Sequence, residues 1–301
     1  MPAPASDTAP RSPLDYVPAA GLRWLGFAQP QLIFRDSALR GSLEQLISND
    51  RLDAFTTLTA VDLREVPAAA VASYDLGTLY VTALAAPDGG RARAKFEGRL
   101  TSGAIVKHPR PTLHRITGTR AGEPQALVSV NDRLLAFASG ELSLARVAEA
   151  YAEQRLKSPT ALHGAALSTL PPRPDSALAA FYFPGPFERE WARAGHGLLG
   201  DAVATGVTVE KASDAALRVT VVLCGDWPAE HPEADLEAAW GDLAKSSTGQ
   251  LLGLQFAKNI KIVANLHQLT WSAELALEPL VNGLRAATIA NVPEIFGDHS
   301  R

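Results

Sequence analysis

The hydrophobic positions of this chain change period several times, and each change predicts an element. Leu22 to Phe27 and Gln31 to Phe34 read as extended, interrupted by Pro30, which cannot donate to a sheet ladder. Asp36 and Ser37 then offer caps for a helix whose Leu39, Leu43, Leu46 and Ile47 share one face. After a stretch with little pattern through Asp62, Ala70 to Tyr74 and Thr78 to Ala85 predict a hairpin about Asp75-Leu76-Gly77. Pro87-Asp88-Gly89-Gly90 opens a helix over 91–100. A Pro-interrupted extended stretch (105–116), a hairpin (125–130 and 134–138) and a helix over 143–156 follow. Leu144, Val147, Ala148 and Tyr151 are that helix's expected buried stripe.

Pro159, Pro171, Pro172 and Pro174 make 158–176 a linker, after which the pattern repeats. A strand over 177–183 meets Pro184-Gly185-Pro186 and a helix predicted over 187–203. Next come a hairpin (207–211 and 217–223), a helix carrying Leu236, Ala239, Trp240 and Leu243, and a hairpin (259–264 and 267–275). In the last of these Leu269, Trp271, Ala273 and Leu275 alternate with Gln268, Thr270, Ser272 and Glu274. A final helix runs from near Pro279 to about Asn291. Both halves therefore read strand, helix, hairpin, helix, hairpin, helix. The expectation is an internally duplicated α+β protein, antiparallel sheets with helices packed on one face. The halves are 21–157 and 177–297.

Composition adds limits. At 301 residues the chain exceeds what one core usually fills, roughly 250 to 300 residues, which fits two halves. Cys224 is alone, so there is no internal disulfide. The net charge of −4 gives no positive field for nucleic acid, and the one basic cluster, Lys107 to Arg120, lacks interleaved aromatics. No apolar run approaches the roughly 18 residues of a membrane span. Residues 1–20, MPAPASDTAPRSPLDYVPAA, are Pro-, Ala- and Ser-rich and predict a disordered tether without the apolar core of a signal peptide. Two origins fit it: an unstructured start on a cytosolic protein, or the mature end of an exported one.

Candidate chemistry is sparse. There is no G-x-S-x-G elbow for a nucleophile, and Cys224, ending a strand, reads as a packing sulfur. The histidines have no metal-site spacing. Asp226, Glu230, His231, Glu233 and Asp235 lack the ligand order of a calcium loop and read as a solvated loop with helix-capping carboxylates. Ser246 to Gly249 reads as a helix stop, and Asp88-Gly89-Gly90 as turn and cap chemistry. No cofactor, metal or catalytic residue is expected. Trp227, beside Pro228 in a loop, and His163, in the linker, are the residues to watch for ligand contact.

The Pro/Ala tether before Tyr16-Val17-Pro18, Ala70-Val71-Ala72-Ser73-Tyr74 leading to Gly77-Thr78-Leu79, Gly118-Thr119-Arg120 and Pro184-Gly185-Pro186-Phe187 carry a resemblance. Through them the chain resembles uncharacterised envelope lipoproteins of Gram-negative bacteria with GC-rich genomes. That family has no established activity, so the resemblance implies a compartment and no functional residue. The expectation is a non-catalytic cell-envelope protein, periplasmic or outer-membrane-anchored, binding or scaffolding an unknown partner through a sheet face or a groove between the halves. Any membrane link would be an N-terminal lipid anchor absent from this chain. The alternatives are a cytoplasmic location and a small-molecule binding protein or hydrolase with its site between the halves.

Overall fold

The computed structural model describes residues 12–106, 112–157, 167–187, 195–227, 232–265 and 267–289. The chain divides into two compact units, Met1–Gln31 with Asp53–Gly164, and Leu32–Leu52 with Ala165–Arg301. Both are α+β with antiparallel sheets. Residues 32–52, expected within the first half, group with the second unit because Leu39 packs there against Leu178, Leu217, Leu277 and Val281.

The first unit holds β1 (Leu22–Ala28), β2 (Ala68–Tyr74), β3 (Gly77–Ala83), β4 (Ser102–Val106), β5 (Leu113–Arg120), β6 (Glu123–Val130) and β7 (Leu134–Gly140), in the sheet order 1-2-3-7-6-5-4. The second holds β8 (Ala177–Pro184), β9 (Ala202–Ser213), β10 (Ala216–Gly225), β11 (Lys258–Asn265) and β12 (Gln268–Ala276), ordered 8-9-10-12-11. Without the extra hairpin β4–β5, the first order is 1-2-3-7-6. Each half is thus wound the same way, and the duplication is one of topology as well as element order. Gly77 serves the tight β2–β3 turn: its φ is +134°, and a Cβ there would collide with the Ser139 carbonyl on β7.

The early helices are α1 (Pro30–Arg35), α2 (Ser37–Glu44) and α3 (Asn49–Thr59). Residues 31–34, expected as extended, are helical because Pro30 occupies the first helical position, where its fixed φ suits a helix and its missing N–H costs nothing. The Asp36 side chain caps α2, accepting from the Ala38 and Leu39 amides at 3.1 Å each, and is ion-paired to Lys211. Lys211 also pairs with Asp214 at 2.6 Å. The Lys211 hydrogen bond, aided by the two amides, holds the Asp36 carboxyl below its ordinary range. Such a group stabilises fully above the ordinary carboxylate value and loses its contribution as pH falls through the lowered one. Asp36→Asn keeps a capping oxygen without the charge. The variant's deficit in urea midpoint is therefore expected at neutral pH and should vanish in strong acid; a deficit independent of pH would sink this account.

The later helices are α4 (Gly89–Glu97), α5 (Leu142–Lys157), α6 (Pro232–Lys245), α7 (Ser247–Leu251) and α8 (Leu277–Ile289). In the first unit α4 sets Phe96 and Ala92 against Ile116, Leu127 and Leu135. α5 lies on the opposite face, where its Glu149 meets Arg115 at 2.7 Å and Arg115 is the cross-strand neighbour of Val128. The buried stripe of α5 is Leu144, Ala145, Ala148 and Ala152; Val147, expected inside, is 44% exposed. The helix predicted over 187–203 cannot reach its expected end, since β9 begins at Ala202.

Candidate functional site

In the second unit one sheet face is built for helices. Leu217 to Leu223 at every second position of β10, with Leu269, Trp271, Ala273 and Leu275 of β12, pack against Leu236 and Trp240 of α6 and Leu254, or against Leu39 and α8. The opposite face has the polar half of the same alternation. Thr208 stands opposite Thr220, Thr220 opposite Ser272, and Ser272 opposite Lys261. A second row runs Glu210, Arg218, Glu274.

Among the described residues this face carries no helix, because of the course of the last one. In the first unit α5 takes the face opposite α4; its counterpart α8 instead sets Leu277 and Val281 against Leu39, Leu178 and Leu217, on the same side as α6. The reason lies in two glycines. A Cβ on Gly283 would collide with the Leu251 carbonyl of α7, and Gly253, at φ +71°, lies against Pro279. That close approach holds α8 beside α7. One end of the polar face is covered by 167–170, where Leu170 lies over Gly206 and the Cys224 thiol donates to the Thr169 carbonyl at 3.3 Å. Burial pushes that thiol above its ordinary pKa, consistent with a packing role.

The other end is an open hollow of about 360 Å³ lined by Arg218, Asn259, Lys261, Ser272, Ala273 and Glu274, strand residues throughout. Arg218 donates to the Glu274 carboxylate at 3.0 Å and the Asn259 amide donates to it at 2.7 Å. These bonds, Arg218's first, hold Glu274 below the ordinary carboxylate range. Glu210 accepts from Ser176. Lys258 and Lys261 make no close ion pair among the described residues, and with Arg218 they outnumber Glu210 and Glu274, so this end of the face carries net positive charge.

The sequence-derived candidates fall elsewhere. Trp227 is buried in the second unit's core, its indole N–H donating to the Leu198 carbonyl at 3.1 Å, so its polar handle is already engaged by the fold. His163, Glu230 and His231 lie outside the described residues. Asp226 pairs with His267 at 2.6 Å, both exposed, while Glu233 and Asp235 sit in the first turn of α6, where carboxylates favour the helix dipole. Ser246 caps α7 rather than merely ending α6, accepting from the Gly249 amide at 3.0 Å. Gly89 lets the start of α4 approach the Asp132 backbone. No cluster of three His, Cys, Asp or Glu able to hold a metal occurs among the described residues. A larger hollow in the second unit, about 540 Å³ between α2, the β9–β10 turn and α8, is mostly apolar, and neither hollow is lined by histidine or cysteine. Among the described residues no helix is long and apolar enough to cross a membrane.

No family model matches the chain, and no curated protein matches it. Among solved structures it is similar to TP0453. Crystal form III superposes with a TM-score of 0.50 at 10% identity, over 92% of this chain and 99% of that one. Crystal form IV gives 0.49 at 11% identity, over 91% and 96%. At this identity the likeness to form III speaks for a shared α+β fold across nearly the whole chain and for nothing finer.

Proposed function

We propose that the protein is a non-catalytic cell-envelope protein that binds a partner through the open polar face of its second sheet. The observation that carries this reading is the course of α8. A duplicated fold that covers one face with α5 in the first half carries, among the described residues, no helix on the corresponding face in the second. Thr208, Thr220, Thr270 and Ser272 stand on this face, whereas Val128 and Ala136 stand opposite each other on the face that α5 takes in the first unit. The envelope part rests on the resemblance carried by the N-terminal Pro/Ala segment and Pro184-Gly185-Pro186-Phe187.

A photo-crosslinking residue at Thr220 tests the binding face, with the exposed Glu237 of α6 as control, in cells that are then fractionated. A discrete adduct from Thr220 and not from Glu237, recovered in the envelope fraction, is the expected result. Identical adducts from both positions, or none from Thr220, would overturn the face; recovery in the cytosol would overturn the compartment.

A further inference from the structure

We infer that the partner presents an extended acidic strand, and that it docks by adding to the free edge of β11 beside the polar face; the inference rests on the binding reading above and names the chemistry of its partner. In the second unit's sheet β11 is the terminal strand, and among the described residues it pairs only with β12. Its register there is regular from Lys261 to Asn265, so this stretch can offer main-chain groups to another strand.

Proteins commonly blunt an exposed edge with lysines and bulges, and β11 has both: Lys258, Lys261 and a register shift between them with Asn259 at φ +52°. Protection alone does not explain the side chains it accompanies. Val263 is 62% exposed and shares the open face with Lys261, while Ile260 is 45% exposed. A purely solubilising edge would not display both. The charges also decide which strand fits. Lys258 stands opposite Glu274 and Lys261 also acts on that carboxylate, but Arg218 already pairs with it, so the two lysines leave an incoming chain facing a net positive edge. They disfavour a neutral or basic strand and favour one with carboxylates at alternate positions, its apolar side chains reaching Val263.

The test uses the full chain and a fluorescent peptide of alternating valine and glutamate, followed by anisotropy. The wild type should bind. The Lys258→Glu/Lys261→Glu variant, changed only at exposed positions, should bind at least about ten-fold more weakly and gain affinity for the matching valine–lysine peptide. The same acidic peptide N-methylated at alternate amides should lose binding, because a strand cannot then complete the ladder. Equal binding of the methylated peptide would reduce the site to diffuse charge and overturn strand addition. So would wild-type binding unaffected by the lysine reversals. Capture of phosphatidylglycerol vesicles in place of the peptide would overturn the acidic-peptide partner in favour of a lipid surface. If no peptide binds while the Thr220 adduct persists, this inference falls and the binding face stands; if the adduct is also lost, both fall.

Discussion

Replacing Trp271 by alanine is expected to lower the unfolding free energy by about 4 kcal/mol, within the range for emptying a buried tryptophan site. The ring is 5% exposed and stacks on Trp240 with centroids 4.2 Å apart and planes at 32°. Its backbone stands between Val221 of β10 and Ile262 of β11, so the void opens in the middle of the sheet, where Leu223, Leu236 and Leu269 cannot close over it. The indole N–H, however, meets no acceptor among the described residues. Leaving a buried donor unpaired costs about 1 to 3 kcal/mol, and phenylalanine removes that donor while keeping an aromatic face for Trp240. Trp271→Phe should therefore sit within about 1 kcal/mol of the wild type, the relieved donor offsetting the smaller ring. Urea unfolding followed by circular dichroism separates the two variants. If they cost the same, the stacked ring is not what holds this face.

The hairpins were readable because a half-buried strand writes its burial into every second residue. Leu269, Trp271, Ala273 and Leu275 are all buried, and the alternation that predicts this also names the polar face on their other side. The helices were less readable. α3 carries only Leu52 buried, and its Thr56, Thr57 and Thr59 blur the apolar period. The Leu39 face of the early helix was predicted, but not that it packs in the second unit, since an apolar stripe states that a face is buried and not against what.

The candidate site was half legible for the same reason. Thr270 and Ser272 are predicted outward by their spacing, yet whether a helix covers them depends on where α8 packs. That depends on Gly253, Pro279 and Gly283 meeting α7, a contact between segments that periodicity does not register. Small residues at one helical spacing could have suggested the close approach. The charge balance at Lys258 and Lys261 needed the register as well, because only the pairing of β10, β11 and β12 shows that Glu274 is already engaged by Arg218 and Asn259.

Arg155 carries the second large effect. It lies in the last turn of α5, 1% exposed, its Nε donating to the Asp15 carbonyl at 2.8 Å and its Nη2 meeting the Asp15 carboxylate at 3.1 Å. Tyr74 holds the same N-terminal segment from the sheet, donating to the Pro18 carbonyl at 2.6 Å; burial pushes its phenol well above the usual pKa, so that donor keeps its proton. The short turn Pro13–Tyr16 is thus pinned on one side by a charge and on the other by a neutral hydroxyl. Removing one partner of a buried ion pair costs about 3 to 5 kcal/mol, and the partial exposure of Asp15 places Arg155→Ala near the lower end, about 3 kcal/mol. Arg155→Met fills the same volume and keeps the packing while giving up the charge, so it should recover part of the loss. Asp15→Asn keeps the carbonyl bond but strands the more deeply buried charge of Arg155, so it should cost more than Arg155→Met. Because the pinned segment is local, amide exchange at Asp15 to Val17 should quicken in Arg155→Ala before the sheet opens. A cost below about 1 kcal/mol with unchanged exchange there would mean that Tyr74 and the burial of Pro13, Tyr16 and Val17 hold the segment without the arginine.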